Sequence, residues 1–131
     1  MPPDVVSLEI PSGDEWNPVV RLVLGGVGDR LDFGFEAVDD LQLAVESLIA
    51  SAPARGSLTL AVELGDGAVN VRVSGLPEEA IARALRAPSA NADELDLHRV
   101  LRTVVDDYTV EEPEAGTVAV RLEKSGGEGS A

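Results

Sequence analysis

A few short runs in this chain carry side chains that could do chemistry. Gly25-Gly26-Val27-Gly28 offers the bare backbone N–H groups that cradle a phosphate. A phosphate loop, however, ends in Gly-Lys-Ser/Thr, and the only lysine of the chain is Lys124. Those glycines are therefore expected to serve helix packing. His98 is the single histidine and there is no cysteine, so no imidazole or thiolate partner stands ready to complete a metal site around it. It is expected at the border of a helix. The acidic pairs Asp39-Asp40, Asp106-Asp107 and Glu111-Glu112 have the composition of a two-carboxylate hydrolase. No third catalytic group accompanies them, and two of the pairs lie near expected helix ends, where acids act as caps and solvated faces. Ser47 and Ser51 are possible nucleophiles. Neither has an evident base or sits in a strand–turn–helix elbow.

The elements that must position these residues are read from periodicity. Residues 5–10 alternate apolar and polar and form a first strand, closed by Pro11-Ser12-Gly13. From Asp14 the period becomes helical through Val20, Val23, Leu24, Val27 and Leu31, with Pro18 tolerable in the first turn. A second helix over 36–52 presents Val38, Leu41, Val45, Leu48 and Ala52 on one face, and Pro53 and Gly56 end it. Residues 57–64 and 68–73 make a hairpin through Asp66-Gly67. A short helical pattern at 77–87 precedes a third long helix over 93–107, with Leu97, Val100, Leu101, Val104 and Val105 apolar. A last hairpin pairs 108–112 with 117–123. The fold class expected is α+β: a two-layer sandwich of about five mostly antiparallel strands with three main helices on one face. One domain over 1–124 and a disordered tail over 125–131 complete the expectation.

Composition narrows the function. The formal charge is −14, from 24 acidic against 10 basic residues. That field repels phosphate backbones and anionic lipids, so neither nucleic acid nor a membrane is an expected partner. No apolar run approaches the roughly 20 residues of a membrane-spanning helix. The opening Met1-Pro2-Pro3-Asp4 shows no leader-like pattern, and without cysteine a reducing compartment fits, so a cytoplasmic location is expected.

The order of elements, with a terminal hairpin after a long helix, resembles the GHKL ATPase fold. More closely, residues 5–124 are similar to the anti-sigma factor serine kinases of the RsbW/SpoIIAB type. The likeness is carried by Val20-Arg21-Leu22-Val23-Leu24, by Asp39-Asp40-Leu41-Gln42-Leu43-Ala44-Val45-Glu46-Ser47, by Asp106-Asp107, and by the strand from Gly116 to Lys124. The resemblance implies a homodimer and a protein partner, a sigma factor or its antagonist. It also implies that Arg21, which matches an arginine of the partner surface, contacts that partner.

The activity motifs of that family do not carry over. Its second helix holds a Glu and, four residues on, a magnesium-binding Asn; here those positions are Ser47 and Ser51. A hydroxyl is no carboxylate base and a poor stand-in for an amide oxygen on magnesium. An Asp-x-Gly that receives adenine becomes Gly75 and Pro77, and a phosphate-facing Gly-x-Gly becomes Leu95 and Leu97. The resulting expectation is a regulator that holds a protein partner, binds neither cofactor nor ATP and is not an enzyme. Two alternatives accompany it: an active ATP-dependent anti-sigma serine kinase, and a pseudo-enzyme subunit paired with an active homologue.

Overall fold

A computed structural model describes residues 4–30, 33–51, 56–65, 67–86, 97–114 and 116–125. The chain runs through β1 (Asp4–Pro11), a short 3-10 turn (Asp14–Trp16), α1 (Asn17–Arg30), α2 (Phe35–Ala50), β2 (Ser57–Leu64) and β3 (Ala68–Pro77). It continues with α3 (Glu78–Arg86), α4 (Leu97–Val104), β4 (Asp107–Glu114) and β5 (Thr117–Ser125). The five strands form one sheet in the order β1-β2-β3-β5-β4, and every neighbouring pair is antiparallel.

The sheet follows from strict alternation. In β2, Leu58, Leu60 and Val62 are buried while the residues between them are half-exposed; in β3, Val69, Val71 and Val73 repeat the pattern. With a side-chain period of two, all of these point to one face, where Val118, Val120 and Leu122 of β5 join them. The helices cover that face with their own stripes. Val20, Leu24 and Val27 come from α1, Leu41, Ala44, Val45, Leu48 and Ile49 from α2, and Leu97, Val100, Leu101 and Val104 from α4. Each fully buried aliphatic side chain contributes about 1.5–3 kcal/mol. The core is thus a layer of Val, Leu and Ile between one sheet face and the helices.

Differences from the periodicity reading lie at element ends. The third long helix is observed as α4 from Leu97 to Val104, because Asp107 already pairs with Glu123 and starts β4. The part of that expectation at 93–96 lies outside the described residues, as do Leu31, Ala52, Pro53 and Asp66. β3 extends to Pro77, since the ladder with β5 resumes after an irregularity between Ser74 and Leu76. Ser125, placed in the tail from sequence, is the last residue of β5, and its backbone N–H donates to Asp106 Oδ2 at 2.8 Å. Residues 126–131 lie outside the described residues. Among the described residues, no helix is long and apolar enough to cross a membrane.

Three glycines separate into two kinds. Gly28 is buried in α1, and a Cβ there would overlap Val38 Cγ2 of α2. A Cβ at Gly25 or Gly26 would meet nothing within 4 Å among the described residues beyond α1 itself, although each glycine weakens a helix interior by about 1 kcal/mol relative to Ala. Lys124 closes the far end of the helical layer. Its ammonium donates to Val104 O at 2.8 Å and to Asp40 Oδ2 at 3.1 Å, tying β5 to the C-terminus of α4 and to α2.

Candidate functional site

The residues that the resemblance sets at the nucleotide and at the partner fall into two sets: those at the ends of α2, β3 and α4, and Arg21 where α1 meets α2. In the first set, Ser47 and Ser51 occupy the last turn of α2 and its cap. Ser51 Oγ donates to Ser47 O at 3.0 Å, and Ser51 N–H donates to the Ser47 and Leu48 carbonyls. The hydroxyl thus closes the helix on itself, as Ser side chains do at helix ends.

Gly75 sits where β3 breaks register. Its φ is +89°, and a Cβ there would stand 2.9 Å from Ser57 O. An L-residue is therefore strained on two grounds, backbone conformation and contact. Pro77 follows as the last residue of β3, paired with Thr117. Leu97 is 5% exposed and belongs to the core; Leu95 lies outside the described residues. Positions 47 and 51 carry hydroxyls, and position 75 carries bare backbone. Among the described residues, no group of three or more His, Asp or Glu could hold a metal ion.

In the second set, Arg21 of α1 reaches across to α2. Its Nε donates to Glu46 Oε2 at 2.6 Å and its Nη2 to Glu46 Oε1 at 3.1 Å, a two-pronged pair. The hydrogen bond that Arg21 donates to Glu46, followed by the Glu46 charge, raises the Arg21 pKa above its ordinary value. Gln42 Nε2 donates to Arg21 O at 3.2 Å and fixes the same turn. Arg21 is thus a brace between two helices as well as an exposed cation.

Two arrangements were not visible from the sequence. On the sheet face turned away from the helices, Arg72 and Arg121 are direct cross-strand neighbours. Glu111 bridges them, accepting from Arg72 Nε at 2.8 Å and Arg121 Nε at 3.4 Å, and Glu63 lies 3.7 Å from Arg121. The hydrogen bond from Arg72, with both guanidinium charges, holds Glu111 below its ordinary pKa against the opposing effect of desolvation. Only the strand register brings these residues together. His98, expected at a helix border, is exposed on α4 and its Nδ1 lies 2.7 Å from Tyr108 Oη, with the rings edge to face. Burial raises the Tyr108 pKa, and the Arg102 charge lowers it by less.

Compared with known proteins, the chain is similar to serine-protein kinases named RsbW. It is 37% identical over 49 residues to the RsbW protein of Oceanobacillus iheyensis, a stretch covering 37% of this chain and 31% of that protein. The RsbW protein of Listeria innocua is 30% identical over 78 residues, covering 54% of this chain and 50% of its own length. That of Bacillus pumilus is 33% identical over 49 residues, 37% of this chain and 30% of its own. The chain therefore spans half or less of the length of the curated relatives it matches. No family model matches it.

These matches support the likeness drawn from sequence, and the five-stranded α+β sandwich agrees with it. They overturn the expectation that the chain is not an enzyme, because each of these relatives is named a serine-protein kinase.

Proposed function

We propose that this chain is a regulator of the RsbW kind, which holds a protein partner and phosphorylates a serine of that partner with ATP. The observation that carries the reading is the match to RsbW serine-protein kinases at 30–37% identity on a compatible fold. A sigma factor or its antagonist is the partner class that the resemblance brings with it. The formal charge of −14 favours a basic partner surface and speeds encounter with it. Arg21, exposed and braced on Glu46, is the side chain that the resemblance assigns to the partner contact. Two copies of the chain are proposed to pair, and the described elements are proposed to act as one domain.

The resemblance sets the family's magnesium- and adenine-binding groups at Ser47, Ser51 and Gly75, so nucleotide binding is the decisive measurement. The purified protein is titrated with ATP and with ADP, each with magnesium, by calorimetry and by thermal melting. At 100 times its dissociation constant a nucleotide stabilises the fold by about 2.7 kcal/mol, which a melt registers readily. Saturable binding, followed by transfer of labelled phosphate to a serine of the partner, is the expected result. Neither heat nor a shift in melting would overturn the kinase half and leave partner holding to be tested by itself.

A further inference from the structure

β4 closes one side of the sheet. In the order β1-β2-β3-β5-β4 it pairs with β5 alone, so its other edge meets no strand among the described residues. Strand edges are commonly blunted by bulges and prolines. β4 has both only at its far end, where the register slips between Glu111 and Glu114 around Pro113. From Asp107 to Glu111 the ladder is regular and its free edge can pair with another strand.

Alternation sets what borders this edge. Tyr108 and Val110 oppose Leu122 and Val120, which are buried on the helix side, so they share that face. Asp107, Thr109 and Glu111 point to the opposite one. Val110 is 40% exposed, an apolar side chain left uncovered at the margin of the sheet.

Beside Tyr108 stands a cationic face of α4. This helix carries His98, Arg99 and Arg102 and no acidic residue, and His98 and Arg102, four apart, lie on one side of it. His98 Nδ1 is 2.7 Å from Tyr108 Oη. With the phenol O–H donating to Nδ1, the proton of the neutral ring stands on Nε2, which remains a donor for a ligand. The charge of Arg102 reaches the same phenol. Arg21, Arg72, Arg121 and Lys124 are all in ion pairs, whereas neither Arg102 nor His98 has a carboxylate partner among the described residues. The acids of β4 do not cancel this charge. Asp107 points to the other face, and Glu111 is engaged there by Arg72 and Arg121.

An open strand edge takes an extended segment through backbone hydrogen bonds and reads its alternate side chains. A guanidinium with a second donor beside it suits a phosphate, whose three oxygens accept from both at once. The formal charge of −14 repels anions at a distance, but salt at 0.1 M screens it beyond about 10 Å, so the groups at the site decide.

We propose that β4 and α4 form a phosphopeptide site. An extended segment of another protein adds as a strand to the free edge of β4 over 107–111 and lays an apolar side chain on Val110. Two residues away, as Tyr108 is from Val110, its phosphorylated serine or threonine meets Arg102 and His98. This goes beyond the kinase reading, and no step of it needs ATP.

The probe is a synthetic peptide of about 10 residues, the length of a long strand, with a central phosphoserine and valine two residues to either side. The same peptide with serine and with glutamate at the centre, and inorganic phosphate alone, are the comparisons. Calorimetry should show the phosphopeptide binding at least about tenfold more tightly than each, the equivalent of one charge-assisted hydrogen bond. Amide shifts should centre on 97–104 and 107–111. Arg102→Gln should remove that tenfold advantage and Val110→Ser should weaken binding, both at exposed positions and without lowering the melting temperature. Arg30→Gln, which takes the same charge from α1, should change nothing. Equal binding of the serine peptide, or equal losses from Arg30→Gln and Arg102→Gln, would overturn the proposal in favour of unspecific attraction. A glutamate peptide as tight as the phosphopeptide would replace the phosphate by a carboxylate, and inorganic phosphate as tight would remove the added strand; either result overturns it. Displacement of the peptide by ATP with magnesium would overturn it in favour of a nucleotide. Since the titrations hold no nucleotide otherwise, failure of phosphate transfer sinks only the kinase reading.

Discussion

Gly28 of α1 lies flush against Val38 of α2, so close that a Cβ on residue 28 would overlap Val38 Cγ2. The approach of these two helices is set at that one point by the absence of a side chain. Val38 is β-branched and holds one strongly preferred χ1 rotamer in a helix, so swinging its methyl aside is costly.

Gly28→Ala is therefore expected to destabilise the fold by about 1–3 kcal/mol through overpacking, despite the better helix propensity of alanine. Gly25→Ala and Gly26→Ala, with open space around them, are expected to stabilise it by about 0.5–1 kcal/mol each. Urea denaturation of the three single variants checks the contrast in sign. A Gly28 variant that gains stability like the others would show that the helices can part freely.

At Gly75 the expected cost is larger. Gly75→Ala combines a left-handed backbone with a Cβ 2.9 Å from Ser57 O and should lose about 3 kcal/mol. Gly75→Asp, which reinstates the acid that the resembling family carries there, should lose at least as much and not improve nucleotide binding. Thermal melts with and without ATP decide this; a stable, ATP-responsive Gly75→Asp would mean that the bulge is not an obstacle.

Lys124 is 15% exposed and donates to both Val104 O and Asp40. Lys124→Met keeps most of the stem's packing but leaves the helix-end carbonyl without this donor. A loss of about 1–2 kcal/mol is expected in denaturant titration. Lys124→Arg, able to donate to both groups, should recover part of it.

Glu111 gives the expected pH dependence. Its folded pKa lies below the ordinary 4.5 because of its hydrogen bond with Arg72. The stability this contributes is fully present above the ordinary value and disappears as pH falls through the lower folded one. Glu111→Gln should melt earlier than the native chain at neutral pH, with the gap narrowing below about pH 4.5. A constant gap down to strongly acidic pH would show that the bridge between Arg72 and Arg121 is not what depresses the titration. Because the pair is over a third exposed, added salt should also narrow the gap.

Much of the fold was legible because its signals are local. The alternation of Leu58, Leu60 and Val62 with polar residues, and the helical spacing of Leu97, Val100, Leu101 and Val104, each describe one face of one element. Where an element ends is decided by what it meets, which is why Asp107 leaves the helix to pair with Glu123. Of the candidate site, the two serines at the end of the second helix could be read directly. That Ser51 turns its hydroxyl back onto Ser47 could not be, since a short polar side chain at a helix end chooses between its own backbone and other partners by local geometry.

The sequence by itself determined the α+β class, the aliphatic core, the acidic surface and the likeness to RsbW kinases, because composition and period are properties of consecutive residues. The tertiary structure alone decided which glycine is compulsory, that Arg21 braces Glu46, that Lys124 joins three elements, and that Arg72 and Arg121 share Glu111. Those are contacts between residues 10 to 84 positions apart. A one-residue change of strand register or a turn of one helix would unmake them while leaving every local pattern intact.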